Sequence, residues 1–227
     1  MNYIRIAVLS AVIFLAGCAP TILVTKDFQD GSFSFGQIKK GSKAKLYVSE
    51  HVNLMEFKKA FVNEYQSERG FGAALRKQMA DSMKSKLECS VSIGDSSQDI
   101  TPLLSASLDQ NSIDQARALF EASGEDYFLI VRSVDIANSV SSSAPMYMAG
   151  GGMGGGGGVF VGGGSSESCI VTIHADLWNV KDKKKLLSCS SIGQSTVFMF
   201  FFGAALKDAV GQSVRHLVKY LSTGATY

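Results

Sequence analysis

"CIVTIHADLWNV", Cys169 to Val180, alternates cleanly from Val171 onward to Leu177. Val171, Ile173, Ala175 and Leu177 fall on one side, and Thr172, His174, Asp176 and Trp178 on the other. A period of two marks a strand with one face on the core. The second face reads as solvated. Upstream, "YFLIV", Tyr127 to Val131, opens a strand that runs to Val140. Its first five residues are all apolar, which suits a strand buried on both faces. Downstream, Lys181-Asp182-Lys183 turns the chain and Lys185 to Thr196 returns. These three strands form an antiparallel meander.

The first half of the chain alternates strands with helices. Ala19 to Ser42 holds Pro20, Gly31, Gly36 and Gly41 among polar residues and reads as a tether. A short strand follows from Lys45 to Ser49. Phe71, Leu75, Met79, Met83 and Leu87 recur every four residues, the stripe of a helix within Leu54 to Leu87. Gly70 and Gly72 are the expected break in it. Cys89 to Ile93 is a strand. Ser112-x-x-Gln115 is a capping box that starts a helix carrying Ile113, Ala116, Leu119 and Phe120. Ala204 to Ser222 closes the chain as an amphipathic helix, with Leu206, Val210, Val214, Leu217, Val218 and Leu221 on one stripe.

The expected class is therefore α/β (α+β), a single mixed β-sheet of about five strands with helices packed on it. The element order is β-α-β-α-β-β-β-α, with a Gly-rich hairpin insertion. Residues 1–17 read as a signal peptide, 18–42 as a lipidated tether, and 43–227 as one domain with a flexible Gly-rich loop at 142–168.

The formal net charge of +2 makes no strong field, so no nucleic-acid partner is expected. Lys181, Lys183, Lys184 and Lys185 read as a solvated turn. Besides Cys18 there are Cys89, Cys169 and Cys189. An odd set cannot pair completely, and which two would pair is open. His51, His174 and His216 are scattered, so no base is tied to a thiol. His174 and Asp176 share a strand face without a third ligand, so no metal is expected. Catalytic residues and cofactors are likewise not expected.

"AGGGMGGGGGVFVGGG", Ala149 to Gly164, lacks the Gly-Lys-Ser/Thr of a phosphate loop and leads into a strand rather than a helix. No nucleotide is expected there. The run reads as a low-complexity insertion whose Met146, Tyr147, Met148, Met153, Val159, Phe160 and Val161 suit docking. "VFMFFFGAAL", Val197 to Leu206, is either a buried turn into the last helix or an exposed one. The meander brings this stretch and the glycine run to one end. Together they would present Met148, Phe160, Phe198, Phe200, Phe201 and Phe202 as a contact surface for a partner subunit or a membrane.

The N-terminus fixes a location. A basic start, Met1 to Arg5, precedes an apolar run, Ile6 to Ala16, about half the length of a bilayer-spanning helix. Leu15-Ala16-Gly17-Cys18 resembles the lipobox of bacterial lipoproteins. The resemblance implies cleavage before Cys18, a diacylglycerol on its sulfur and an acylated amine. Ala19, in place of the Asp that retains Gram-negative lipoproteins at the inner membrane, implies the outer membrane. From Lys45 to Ser222 the element order is similar to the N-terminal domain of the Tol-system translocation protein and to the curli secretion-channel lipoprotein. That likeness is of topology and transfers no residue.

Three functions follow as expectations. The first is a non-enzymatic envelope lipoprotein, an interaction or assembly module at the periplasmic face of the outer membrane. Its partners are the membrane, through the lipid, and an envelope protein or a second copy. The second is a subunit of an oligomeric membrane-inserted secretion channel. The third is a periplasmic enzyme.

Overall fold

The computed structural model describes residues 23–94, 100, 103, 114, 117–142, 146–148, 159–161 and 165–226. In chain order these form β1 (Val24–Gln29), β2 (Lys43–Val48), β3 (Val52–Leu54), α1 (Lys58–Tyr65), α2 (Glu68–Leu87), β4 (Ser90–Ile93) and α3 (Arg117–Glu121). Then come β5 (Tyr127–Ser142), β6 (Met146–Met148), β7 (Val159–Val161), β8 (Ser165–Asn179), β9 (Lys184–Thr196) and α4 (Phe202–Thr223). The class is the expected one, a mixed sheet under helices. Among the described residues the sheet has seven strands rather than about five.

The order across the sheet is β1-β9-β8-β5-β2-β4. β5, β8 and β9 are the antiparallel meander, while β2 pairs in parallel with both β5 and β4. β3 pairs in parallel with β5 beyond β2, so the two short strands share one edge of the long one. The core residues of β5 alternate as Leu129 and Val131, then as Val134 and Ile136. The phase slips because the β5–β8 register shifts between Val131 and Ser133. This bulge adds Arg132 to the ladder without a partner.

Residues 24–42 are not a tether. β1 pairs antiparallel with β9 along the sheet edge, and Phe33 and Ile38 are buried. An edge strand has one neighbour and buries little; of β1 only Val24 is fully covered. Its sequence therefore alternates weakly. The long helix does break, but at Gln66 and Ser67 rather than at the glycines. Gln66 has φ 64°, and the Ser67 hydroxyl caps α2 by accepting from the Gly70 N–H at 3.1 Å. Gly70 is needed because a Cβ there would collide with the Tyr65 carbonyl oxygen. The Ser112 capping box lies outside the described residues.

Helices α1, α2 and α4 cover one face of the sheet, and the α2 stripe from Phe71 to Leu87 is core as expected. On the opposite face a smaller cluster joins Tyr47, Phe128, Ile130 and Trp178 to Leu103 and Phe120. The tightest junction is α4 on β9. A Cβ on Gly193 would overlap the backbone of Ala209 and lie 2.5 Å from the Ser213 nitrogen. Beside it the Ser191 hydroxyl donates to the Ser213 carbonyl at 2.7 Å, and the Ser213 hydroxyl to the Ser191 carbonyl at 2.8 Å. Both hydroxyls are buried and both are satisfied. Backbone cannot swing aside as a side chain can. Gly193→Ala should therefore lower unfolding stability by about 2 kcal/mol or more, read as a drop in urea midpoint at constant slope.

Candidate functional site

Thr196 pairs with Ser168, and the Val197 N–H donates to the Glu167 carbonyl at 2.7 Å. The chain then has only Val197 to Phe201 to reach α4. It makes the connection with two consecutive left-handed residues, Met199 at φ 46° and Phe200 at φ 72°. The Phe201 N–H bonds to the Phe198 carbonyl and the Phe202 N–H to that of Phe200, both at 2.9 Å. Left-handed backbone is unfavourable for side chains other than Gly, Asn and Asp. Its effect here is to turn four large apolar side chains outward. Phe198 is 68% exposed, Met199 70%, Phe200 87% and Phe201 64%. The alternative of a buried turn is overturned.

Phe202 departs from the expected surface. It is half-buried, and its ring centroid lies 5.8 Å from that of Phe57. As the first residue of α4 it follows the helix inward. The backbones carrying Met148 and Phe160 are strands, with Tyr147 opposite Phe160 and Met148 opposite Val159. Their side chains lie outside the described residues. Three residues separate Ser142 from Met146, and three separate Val161 from Ser165. The β6–β7 pair is antiparallel and forms a sheet of its own, so part of the glycine segment is strand rather than loop. Its base and the aromatic turn share one end of the sheet, since Val140 pairs with the same Glu167 that holds Val197.

Between the turn and α1 lies a cleft of ≈ 730 Å³. Phe57, Phe200, Phe201 and Phe202 line it, with Lys58 and Glu64 among its polar groups. Helices α1 and α4 both begin there, and neither receives a side-chain cap. Lys207 pairs with Glu64 across the α1–α4 junction.

The second face of β8 is only partly solvated: Thr172 and His174 are half-buried, and the face is covered toward Trp178. Asp176 is fully buried, and Trp178 nearly so. Three groups hold the Asp176 carboxylate: Arg132 Nε at 3.0 Å, Lys185 Nζ at 2.8 Å and the Ser188 hydroxyl, which donates at 2.6 Å. Both cations come from irregular points in the ladder. Arg132 is the β5 bulge residue, and Lys185 adjoins the register shift of β9 opposite Trp178. Lys185 Nζ also sits 5.3 Å from the centre of the Trp178 ring. A second rung crosses four strands. The Ser190 hydroxyl donates to Asp27 at 3.2 Å, His174 Nδ1 meets Ser190 Oγ at 2.8 Å, and His174 Nε2 meets Asp135 at 2.9 Å.

Serine, histidine and aspartate in a row invite comparison with a hydrolytic triad. Here the hydroxyl proton goes to Asp27, away from the ring, and Ser190 is buried. The row ties β1, β9, β8 and β5 together. Sequence reading placed His174 and Asp176 on one face but missed Ser188 and Ser190, whose own alternation on β9 was the available signal. Cys89, Cys169 and Cys189 are free and buried. Burial pushes the Cys169 and Cys189 thiols up to about 12 and raises Cys89 too, so none is a ready nucleophile. Cys169 pairs in the ladder with Ser195 and Cys189 with Ala175, well out of bonding register. Among the described residues no group of three or more His, Cys, Asp or Glu is placed to hold a metal, and no helix is long and apolar enough to cross a membrane. Cys18 lies outside the described residues.

No protein-family model matches the chain, and no curated protein does. Among solved structures it is similar to PelC from Paraburkholderia phytofirmans, a dodecamer, at 13% identity and TM-score 0.39, covering 85% of this chain and 94% of that one. A neuraminyllactose-binding hemagglutinin homolog from Helicobacter pylori is 10% identical at TM-score 0.42, covering 86% and 94%. Hypothetical protein CT253 from Chlamydia trachomatis is 8% identical at TM-score 0.42, covering 80% and 98%. Likeness at these scores carries no functional argument.

Two predictions separate the two surfaces. Phe200→Ser should leave the melting temperature unchanged, because the ring touches water already, whereas Phe202→Ser should lower it by losing the Phe57 contact. Asp176→Asn should cost about 3 kcal/mol in urea unfolding, because Lys185 would stay buried without its counter-charge while half-buried Arg132 kept only Asp27, at 3.7 Å.

Proposed function

We propose that this chain is a non-enzymatic lipoprotein of the bacterial envelope, an interaction or assembly module held by Cys18 at the periplasmic face of the outer membrane. One observation carries the reading: four adjacent apolar side chains, Phe198 to Phe201, are held in water by left-handed backbone. A soluble monomer gains nothing from such a patch, and apolar patches of this kind mark contact sites. The Leu15-Ala16-Gly17-Cys18 sequence supports the anchor. The free thiols are buried, and the serine–histidine row is a cross-strand brace, which supports a binding role over a catalytic one.

The channel reading has one observation in its favour. Between β5 and β8 in the sequence, β6 and β7 pair antiparallel as a second small sheet. A bilayer-spanning strand needs about 9–11 residues, and each of these short strands has three. A ring in the size profile of the detergent-extracted protein, with vesicle conductance, would favour the channel over the module.

The anchor is checked by fractionation. Protein starting at Ala19 behind an ordinary cleavable signal should move from the membrane pellet to the soluble fraction, reducing retention after a salt wash at least tenfold, because a stable anchor needs the acyl chains. Unchanged retention would overturn the anchor.

A further inference from the structure

The structure shortens the tether and so gives the domain a direction. Had residues 18–42 been a free linker, its reach would be ~85 Å and any side of the domain could meet the membrane. Instead the chain is fixed from Leu23 onward. The Ile192 N–H donates to the Leu23 carbonyl at 2.7 Å, and the Leu23 N–H to the Thr226 carbonyl at 2.6 Å. From Cys18 to Leu23 the chain can span at most ~18 Å.

β1 runs antiparallel to β9, so the chain entering Val24 comes from the side toward which β9 ends. From Ile192 to Val197, at the foot of the aromatic turn, is ~17 Å along the strand. From Ile192 to Lys184, at the opposite end, is ~26 Å. A lipid on Cys18 can therefore lie level with the aromatic turn and cannot reach the far end.

Apolar exposure is concentrated at that same end. Phe198, Met199, Phe200 and Phe201 are joined by Val140, which is 63% exposed and paired with Glu167. The adjoining cleft carries Lys58 and Lys59 but also Glu56, Glu64 and Glu167, so its charges nearly cancel. The surface suits an apolar, uncharged medium rather than an anionic polymer or a basic peptide.

We propose that the Phe198–Phe201 turn is a wedge that inserts into the same leaflet that holds the Cys18 acyl chains. This rests on the lipid-anchor reading of Cys18, with the turn as a second, independent contact. The occupant of the surface is the bilayer. Two contacts about a strand's length apart fix the orientation of the domain, where a single tether would leave it free to roll.

The test places an environment-sensitive fluorophore at Met199→Cys, and separately at Lys181→Cys beyond the far end. The remaining thiols, Cys89, Cys169 and Cys189, are buried and resist labelling. The full-length lipidated protein is put into phosphatidylcholine vesicles containing chain-brominated lipid. The label at 199 should be quenched and the label at 181 should not. Lipid-free protein starting at Ala19 and carrying the 199 label should still bind weakly, without loss in high salt, and adding Phe198→Ser with Phe200→Ser should cut that binding at least tenfold. Circular dichroism melts of the double variant should match the parent, since both rings are exposed.

A 199 label that stays in water while the lipidated protein floats with vesicles would overturn the wedge and leave the anchor standing. Parent protein whose Cys18 carries no acyl chains by mass spectrometry, with a 199 label that still enters vesicles, would overturn the anchor and leave the wedge. A 199 label shielded without vesicles, with a doubled size in solution, would assign the surface to a second copy and also overturn the wedge.

Discussion

The contact between α4 and β9 governs the rest of the molecule. Gly193 lets the helix backbone lie directly on the strand, and the reciprocal Ser191–Ser213 hydrogen bonds lock its position. With helix and strand fixed, the five residues between Thr196 and Phe202 have no slack. The chain must reverse within them, and it does so through left-handed Met199 and Phe200. Glycine would make that turn at least cost. Bulky residues stand there instead, at a strain of ~1–3 kcal/mol each. The packing of the core thus sets the conformation of the exposed surface, and that surface is stiffer than a loop of its exposure would ordinarily be.

The two faces of the sheet are stabilised by different means. Under α1, α2 and α4 the side chains are apolar and closely packed. On the other face polar rungs cross β1, β9, β8 and β5, and the rung at Asp176 is buried. A buried carboxylate is costly unless it is paired, and the bulge at Arg132 and the register shift beside Lys185 each deliver a cation to Asp176. A buried ion pair adds little stability over an apolar filling of the same volume, but it penalises misalignment heavily. A one-residue slip of β5 or β9 would separate these charges. The arrangement therefore fixes the register of the long strands that lead into the glycine segment and the aromatic turn.

How much of this was legible depended on how many neighbours each element has. β8 and the α2 stripe lie against the core along their whole length, so Val171 to Leu177 and Phe71 to Leu87 show clean periods. β1 has one neighbour and buries only Val24 fully, so its residues passed for a tether. β3 has three residues, too few for a period. The Arg132 bulge shifts the alternation of β5 and cannot be seen without its partner strand. The polar face of β8 was read as solvated because a lone sequence shows the aspartate and not the cations that reach it from β5 and β9. At the aromatic end, Phe198, Phe200 and Phe201 were distinguished from core only by the short connection, and Phe202 went the other way because the helix begins there. The lipobox resemblance of Leu15-Ala16-Gly17-Cys18 rests on a local motif and lies outside the described residues.

Exposed phenylalanines on a strained turn are unfavourable twice over in water, through hydration of the rings and through the backbone conformation that holds them out. Neither is offset inside the domain: replacing Phe200 removes no contact from the core, and the connection could be made by smaller residues. An offset must come from outside. Each ring transferred from water to an apolar medium recovers about 2 kcal/mol, comparable with the strain of one left-handed residue, so two or three rings suffice to reverse the balance. The reversal requires an apolar medium within reach of a domain whose chain is pinned at Leu23. Under the proposed lipidation of Cys18, five residues before Leu23 in the sequence, a leaflet meets that condition without any further partner.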